Sequence, residues 1–305
     1  MDRKLFRNVK TRTPPEFNLF KTFGANHLDV LEDLFGDKPI AFDFETHGVD
    51  QTADGKHIRS VGLANVDHCV AIDFQNNLSG LYSFLNWLVR KPLIAHNFNF
   101  DAAWIYKYLD TLPDVDKCIC TLGLYKQLST EGHVGQTWGL KGAMYEILGW
   151  TESNEEDLYD WLRDNGLKKH DMALAPWEII GPYNALDAAA TYQLYEVMLD
   201  ICSKYKWGDD LITYHKGMFM NEIALLIEAQ FAGIKVDMKA LDSLDSGLED
   251  DIVELTAEFM DHQAVKSYVA ELRRLKLQRL ISNEPKRFKK DGKETVAWLK
   301  WYSIK

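Results

Sequence analysis

The first clear pattern along the chain is an alternation of apolar and acidic positions that predicts β-strands. Residues 40–45 form a short apolar run with acids at every second position, and residues 59–73 give two further strands. Helical spacing of apolar positions follows at residues 81–89 and 100–108, on either side of a short strand predicted at residues 92–96. A three-stranded meander followed by alternating strands and helices predicts an α/β architecture for the first half of the chain.

Apolar positions three and four residues apart predict several helices in the rest of the chain, whereas residues 130–136 are expected to be a loop and the charged residues 152–169 have no assigned element. Residues 121–149 have this spacing, and Pro182 is expected in the first turn of a helix over residues 183–202, where a proline loses no hydrogen bond. Gly233 is expected to end a further helix in a left-handed conformation, and Asp237 to cap the long helix that follows. A third helix then completes a predicted helical hairpin.

These patterns divide the chain into three segments, and its 305 residues are enough for two modest cores. Residues 1–30 are polar, contain a Thr-Pro-Pro break and are expected to be a lead-in segment. Residues 31–207 form the predicted α/β domain. Residues 208–305 form a smaller, all-helical region with a basic C-terminal tail.

Composition narrows the class of protein. No apolar run approaches the roughly 18 residues that span a bilayer, and the N-terminus lacks the apolar stretch of a secretory signal, so we expect a soluble, cytoplasmic protein of a bacterium or of a virus-infected host, without membrane contact. Four cysteines are too few and too irregularly spaced for a disulfide framework or a zinc site. The C-terminal tail of residues 265–305 holds 12 Lys and Arg against 4 Asp and Glu, although the whole chain has a net charge of −11.

Candidate catalytic acids begin with Asp43 and Glu45, two residues apart on a predicted strand. Side chains at this spacing project from the same face of a sheet, and two carboxylates so close together repel unless water or a cation neutralises them. A divalent metal ion would resolve the repulsion. The alternative is a solvated acidic pair at a strand end, which the apolar residues on either side make less favourable.

Two further acids lie at the starts of predicted helices. Asn97 and Asp101 are four residues apart where a buried strand turns into a helix, a place where α/β sheets present side chains to ligands. Tyr183 and Asp187 have the same spacing, so that a phenol and a carboxylate converge on one face of a helix. Each pair alone has an ordinary structural explanation: Asn97 as a helix cap with Asp101 as a first-turn charge, and Tyr183 as a partly buried aromatic beside a surface acid.

Together, the ordered motifs Asp43-x-Glu45, Asn97-x-x-x-Asp101 and Tyr183-x-x-x-Asp187 resemble the three exonuclease motifs of the DEDD superfamily, tyrosine subclass. The segments between them are similar to the proofreading domain of family A DNA polymerases. This resemblance implies a ribonuclease H-like fold, in which a mixed sheet with flanking helices is followed by the smaller thumb-like helical region. It also implies a metal-dependent 3′-5′ DNA exonuclease that releases nucleoside 5′-monophosphates.

The resemblance assigns roles to the acids around two Mg²⁺ or Mn²⁺ ions. By similarity, Asp43 bridges both ions, Glu45 and Asp187 complete the site of the attacking water, and Asp101 anchors the second ion near the leaving 3′ oxygen. Tyr183, paired with Glu45, orients the water.

Four further residues are implied in substrate binding. Asn97 is a candidate for holding the sugar or phosphate of the 3′ end, His96 and Phe100 for the wall behind it, and Thr46 for a contact beside the acids.

The second region resembles the opening of the polymerase part of family A enzymes, with a helix, the link Gly-Ile-Lys-Val-Asp at residues 233–237 and thumb-like helices. The palm and finger motifs of those enzymes do not follow. The chain is then the exonuclease part of a split family A polymerase, a truncated form of such an enzyme, or a free exonuclease with a thumb-like helical pair. The expected partners are a single-stranded DNA 3′ end or a primer-template and, for a split polymerase, a separate subunit that carries palm and fingers. The basic C-terminal tail is either a disordered terminus or a surface for duplex DNA or a partner.

Two alternatives keep other functions open. The tyrosine-type third motif also occurs in ribonuclease D-like 3′-5′ exoribonucleases, so the substrate could be RNA. The exonuclease domain could also be a non-catalytic scaffold of a replicative polymerase, although a scaffold needs none of the four acids.

Overall fold

A computed structural model of the chain describes residue 6 and residues 9–129, 138–150, 154–282, 285 and 296–304. The chain divides into two compact units, Met1–Gly233 and Ile234–Lys305. None of the described helices is long and apolar enough to cross a membrane. The domain boundaries at residues 31 and 208 stay predictions.

The first unit is built on one mixed sheet. Its six described strands are β1 (Asn18–Phe20), β2 (Ile40–Thr46), β3 (Ile58–Ala64), β4 (Cys69–Asp73), β5 (Leu93–Ala95) and β6 (Ile119–Cys120). They lie in the order β1-β4-β3-β2-β5-β6. The strands β2, β3 and β4 pair antiparallel, which confirms the predicted meander, whereas β1, β5 and β6 join it in parallel pairs. The central strand β2 carries the predicted acids Asp43 and Glu45.

Helices cover both faces of this sheet. Those described in the first unit are α1 (Ala25–Phe35), α2 (Leu78–Leu88), α3 (Phe98–Leu109), α4 (Thr121–Leu128), α5 (Leu140–Ala143), α6 (Glu155–Asp164), α7 (Trp177–Ser203), α8 (Gly208–Tyr214) and α9 (Met220–Ala232). Short 3₁₀ turns precede β6 and α7, and π-helical turns follow α5 and α8. The α/β class predicted from the strand and helix pattern is confirmed.

The two faces of the sheet differ in the size of their side chains. The face toward α7 is lined by small residues such as Ala41, Ala64 and Ala71, which belong to the same apolar cluster as the α7 residues. The opposite face presents large side chains, including Phe42 and Leu63, to the cluster that contains α1, α2, α3 and α9. Alternate residues of one strand point to opposite faces, so each strand contributes to both clusters. The small face allows α7 to approach the sheet closely.

The helix predicted to begin at Pro182 begins earlier. The helix α7 starts at Trp177, after Pro176 at its N-cap, and Pro182 is its sixth residue. That placement leaves the carbonyl of Glu178 without its usual donor four residues on. Glu178 is exposed, so water can satisfy this carbonyl. The prediction was wrong because the apolar contacts of Trp177 and Ile180 extend the helix through the proline.

The second unit is helical among its described residues. It contains α10 (Met238–Asp261), α11 (Gln263–Ser282) and α12 (Val296–Ile304). The side chain of Asp237 accepts hydrogen bonds from the backbone N–H of Lys239 and Ala240, at 3.0 and 3.1 Å, which confirms the predicted cap. Gly233, at the end of α9, has the expected positive φ of 69°, although its ψ of 178° lies outside the left-handed helical region. Residues 286–295 of the basic C-terminal tail lie outside the described residues.

Candidate active site

Three carboxylates converge at the centre of the first unit. Asp43 and Glu45 point from the same face of β2, and Asp187 comes from α7, which packs on that face. One oxygen of each lies within 4.8 Å of the others. Asp43 and Glu45 are half-buried and Asp187 is buried. The sequence pattern therefore predicted the elements that bring these acids together: a strand for the first pair and a helix for the third acid.

The fourth predicted acid, Asp101, lies beside this group but is held by the strand. It comes from the first turn of α3, is 2% exposed, and its Oδ1 accepts a hydrogen bond of 3.0 Å from the backbone N–H of Phe44. Phe44 stands between Asp43 and Glu45 in β2, so this bond fixes Asp101 against the same strand. A simple first-turn surface charge would not be buried in this way.

Burial raises the pKa values of all four acids, and repulsion from the other acids adds to the effect at Asp43, Glu45 and Asp101. Burial and the charge of Asp187 raise the pKa of Asp43 to about 7. Burial, Asp43 and Asp187 hold the pKa of Glu45 well above its ordinary range, and burial and Asp43 do the same for the pKa of Asp101. Burial also raises the pKa of Asp187. A site in which several carboxylates oppose each other's ionisation is one that a cation would stabilise.

Lys141 is a site residue that the sequence patterns did not single out. It lies in α5, and its Nζ forms an ion pair with Oδ1 of Asp187. The same Nζ lies 4.1 Å from the centroid of the Tyr183 ring. Its positive charge lowers the pKa of Asp187 and of Asp43, against the effect of burial. The only signal in the sequence was its place in the segment Trp-Gly-Leu-Lys, which resembles the family between its second and third motifs.

Tyr183 lies on the same face of α7 as Asp187 and is 5% exposed. Its hydroxyl lies close enough to Asp187 to lower the pKa of that carboxyl, against the effect of burial. Burial, followed by the charges of Asp187 and Glu45, holds the pKa of Tyr183 well above its ordinary value. The phenol therefore stays protonated and is a hydrogen-bond donor. The pairing with Glu45 that the family resemblance implies stays a prediction.

Asn184 fixes the carboxylate of Asp43 and was also missed. Its Nδ2 donates to Oδ2 of Asp43 at 2.8 Å and to the Asp43 carbonyl at 3.0 Å. Its Oδ1 accepts a hydrogen bond of 2.9 Å from the hydroxyl of Ser60 in β3. The amide is fully buried, with 0% exposure, so these bonds are not exchanged for water. Asn184 thus ties α7 to two neighbouring strands at the level of the acids.

Gly62 makes this close approach of α7 possible. It pairs with Asp43 across β2 and β3. A Cβ added to Gly62 would stand 2.1 Å from the carbonyl oxygen of Asn184. No side chain fits between strand and helix at this point. Small residues at alternate positions of β3 (Ser60, Gly62 and Ala64) were the available sequence signal.

The four predicted substrate-binding residues differ in how firmly the protein holds their side chains. Asn97 is exposed, has a left-handed backbone with a φ of 71°, and makes no side-chain cap hydrogen bond. Thr46 donates its hydroxyl to the carbonyl of Gly48 at 2.7 Å. Phe100 is half-buried and packs against the apolar cluster on the large face of the sheet. Contact of these residues with a substrate stays a prediction.

His96 is held by the protein through both ring nitrogens. Nδ1 lies 3.0 Å from the hydroxyl of Thr121, and Nε2 lies 3.1 Å from the carbonyl oxygen of Trp138. Burial lowers the pKa of His96 to about 4, so the ring is neutral near pH 7. As a predicted substrate wall, His96 would offer only its ring edge.

The donor atoms of this site suit a hard divalent cation. They are carboxylate oxygens, without a thiolate or an imidazole in the group. Mg²⁺ and Mn²⁺ prefer oxygen ligands, whereas structural zinc sites favour cysteine and histidine. A bound cation would lower the pKa values that burial raises at these acids.

The fold and this site can be compared with known proteins. A profile of the 3′-5′ exonuclease family matches residues 25–203. No curated protein matches the chain in sequence. The polymerase domain of Pol1 from M. smegmatis, solved with DNA primer-template and dNTP, has a TM-score of 0.56 and 14% identity over 94% of this chain and 45% of its own. That likeness shows the ribonuclease H-like fold followed by a helical region, as predicted.

Two other solved structures are similar over about three quarters of the chain. Brucella melitensis NrnC bound to pGG has a TM-score of 0.49 and 17% identity, covering 73% of this chain and 98% of its own. Escherichia coli RNase D, described as an exoribonuclease involved in structured RNA processing, has a TM-score of 0.48 and 18% identity, covering 72% and 52%.

Proposed function

The chain belongs to the 3′-5′ exonuclease family, and from this premise we propose that it is a proofreading-type DNA exonuclease that hydrolyses the terminal phosphodiester with two divalent cations. The observation that carries the proposal is the convergence of Asp43, Glu45 and Asp187 within 4.8 Å, with Asp101 bonded to the same strand. All four acids lie within the part of the chain that the family profile matches. The products are nucleoside 5′-monophosphates.

The carboxylates provide the ligands for the cations, which we take to be Mg²⁺ or Mn²⁺ because every donor is an oxygen. Bound cations supply charge stabilisation for the phosphoryl group and lower the pKa of a bound water. In this proposal Asp43 would help to hold both cations, Glu45 and Asp187 would hold the cation near the attacking water, and Asp101 would hold the cation near the leaving 3′ oxygen. Asn184 holds the shared carboxylate in one orientation.

Formal charge supports two cations. Four ionised carboxylates and the Lys141 ammonium have a net formal charge of −3. Two divalent ions change this to +1, which attracts the single negative charge of a phosphodiester, whereas one divalent ion leaves −1, which repels it. Much of the catalysis is then charge neutralisation and positioning.

Tyr183 and Lys141 act at the Asp187 side of the site. The protonated phenol of Tyr183 is a hydrogen-bond donor and orients the attacking water. The ammonium of Lys141 favours the ionised form of Asp187, which a cation requires of its ligand. Loss of the phenol leaves the ligands intact, so we expect Tyr183→Phe to retain measurable activity.

DNA is the proposed substrate because of the segment that follows the family match. The link at residues 233–237 resembles the start of the polymerase region in family A enzymes, which act on DNA. On the same ground we propose that the chain works in replication, on a single-stranded 3′ end or a primer-template, beside a separate polymerase subunit with palm and fingers.

RNA is the second candidate substrate, since the tyrosine in the third motif is shared with ribonuclease D-like enzymes. A non-catalytic scaffold is a third possibility. The Asn184 and Lys141 contacts speak against a scaffold, because they orient and ionise acids that a scaffold would not use.

The test compares 5′-labelled DNA and RNA oligonucleotides of the same sequence, with Mg²⁺, Mn²⁺ or a chelator. We expect stepwise shortening of DNA from the 3′ end that the chelator abolishes. Asp43→Asn and Asp187→Asn should abolish it, whereas Asp200→Asn, an exposed acid of the same helix, should not. Shortening of RNA alone would overturn the DNA assignment. A folded protein that shortens neither DNA nor RNA would favour the non-catalytic scaffold.

A further inference from the structure

The position of Lys141 depends on a very short helix. Its helix α5 contains four residues, Leu140–Ala143, and leads directly into a π-helical turn. A single helical turn is not stable by itself, because nucleation fixes several residues for one hydrogen bond. Contacts from outside must therefore set where α5 begins. Trp138, three residues before Lys141, carries such contacts.

His96 holds the backbone at Trp138. The Trp138 carbonyl has no hydrogen to give, so the 3.1 Å contact requires that Nε2 of His96 carries the proton and donates it. In the neutral ring Nδ1 is then an acceptor, and it lies 3.0 Å from the hydroxyl of Thr121, whose single hydrogen is shared between Nδ1 and the Ala95 carbonyl at 3.3 Å. The low pKa of His96 agrees with this neutral tautomer.

We propose that His96 is a positioning residue: its Nε2–H bond to the Trp138 carbonyl fixes the start of α5 and so places the Lys141 ammonium against Asp187. The function of this placement rests on the proposed exonuclease activity. This role differs from the substrate wall expected of His96, because neither ring nitrogen is free for a substrate.

A second contact should keep Trp138 in place when its hydrogen bond with His96 is removed. The Trp138 ring packs edge-on against Tyr125, with 5.3 Å between ring centroids. Removal of the His96 bond should therefore loosen α5 rather than unfold the unit. The expected consequence is a Lys141 side chain that spends less time at Asp187.

Two substitutions of His96 distinguish the role of Nε2 from the role of Nδ1. His96→Gln places an amide N–H near the position of Nε2 and keeps the donor to Trp138. His96→Asn places an amide near the position of Nδ1, keeps a partner for Thr121, and cannot reach Trp138. Both variants change the residue at the same site, so they control for each other, and thermal unfolding checks that both fold.

The first readout needs no activity. Lys141 is acetylated in the metal-free protein with a limiting reagent and quantified by mass spectrometry, with the exposed Lys38 as internal reference. We expect the His96→Asn protein to modify Lys141 at least threefold faster than wild type, and the His96→Gln protein to stay within twofold. Equal rates in wild type and His96→Asn would overturn the proposal. Because the assay ignores hydrolysis, it stands even if no nuclease activity is found.

The second readout is a double-mutant cycle with Lys141→Gln, measured as kcat on a DNA oligonucleotide. If His96 acts through Lys141, His96→Asn slows the wild type about tenfold and changes kcat of the Lys141→Gln enzyme by less than twofold. If His96→Asn lowered kcat by the same factor in the wild type and in the Lys141→Gln enzyme, the two residues would act independently and the proposal would be contradicted. Should His96→Asn fail to fold, the wild type still decides: nitrogen NMR of the imidazole must show the Nε2–H tautomer, and an Nδ1–H tautomer would refute the proposal.

Discussion

The contact between Gly62 and α7 makes the substitution Gly62→Ala a direct probe of the site. The new methyl group would stand 2.1 Å from the carbonyl oxygen of Asn184, 2.8 Å from its carbon and 3.1 Å from Cβ of Ala188. Ordinary van der Waals contact begins at 3.4 Å, so strand and helix must separate by about 1.3 Å. The obstacle is helix backbone, which cannot rotate away as a flexible side chain would.

This displacement acts on stability and on activity together. Overpacking of a well-filled core typically costs about 1–3 kcal/mol. The helix that moves carries Asn184 and Asp187, and a misplacement of roughly 1 Å in a catalytic group can lower the rate about 100-fold. We therefore expect Gly62→Ala to fold, with a free energy of unfolding lower by about 1–3 kcal/mol and a kcat lower by about 100-fold.

The measurements are urea unfolding and the rate of 3′ shortening of a labelled oligonucleotide at saturating metal. Gly247→Ala is the matched control, because its Cβ meets nothing within 4 Å and lies in the exposed middle of α10. That control should keep the wild-type rate and gain up to about 1 kcal/mol from helix propensity. Wild-type stability and rate in Gly62→Ala would show that α7 does not lie this close to β3. Lower stability with an unchanged rate would show that the site tolerates a displaced α7.

Three further predictions concern charge and chain length. Since the pKa of Asp43 is raised from 3.8 to about 7, the folded metal-free protein holds a proton there that the unfolded chain releases. This contribution is fully present below pH 4 and is lost as pH rises to about 7. Urea unfolding should therefore show that the wild type loses more stability than Asp43→Asn over this pH range. Equal losses in the two proteins would contradict this. At pH 7.5, Mg²⁺ should restore more stability to the wild type than to Asp43→Asn. A chain of residues 1–233 should keep its fold and activity. A chain of residues 1–207 should have a free energy of unfolding lower by on the order of 5 kcal/mol in thermal or urea unfolding, because the buried apolar side chains of α9 are removed. Similar stability of the two chains would contradict this and would support a domain end near residue 207. Removal of residues 265–305, which carry 12 basic residues, should weaken DNA binding in titrations at low salt and have little effect at high salt, and an unchanged low-salt affinity would refute it.

The strand pattern and the motif spacing were sufficient to predict most of the sheet and the acids. The apolar runs in residues 40–73 identified three strands, both faces of which are buried under helices. The spacing of Asp43 and Glu45 gave their common face, since side-chain direction in a strand has a fixed period. These are local rules, and they hold wherever the chain is regular.

What the sequence could not provide depends on contacts between distant segments. The start of α7 at Trp177 was missed because Pro182 alone argues for a helix start, and only packing shows that the helix continues through it. Asn184 and Lys141 are ordinary polar residues of helices, and their roles appear only when the ends of their side chains meet Asp43 and Asp187. No periodicity in the sequence encodes such a meeting.

The unequal faces of the sheet have a consequence for engineering this protein. Positions that face α1, α2, α3 and α9 carry bulky side chains that can be exchanged for others of similar volume, apart from those beside the acids such as Phe44. Gly62, under α7, leaves no such freedom, because an added methyl group there would displace the helix that carries Asn184 and Asp187. A mutant library intended to raise the melting temperature should therefore vary the large side chains on the face opposite α7 and keep the alanine, glycine and serine residues on the face toward α7.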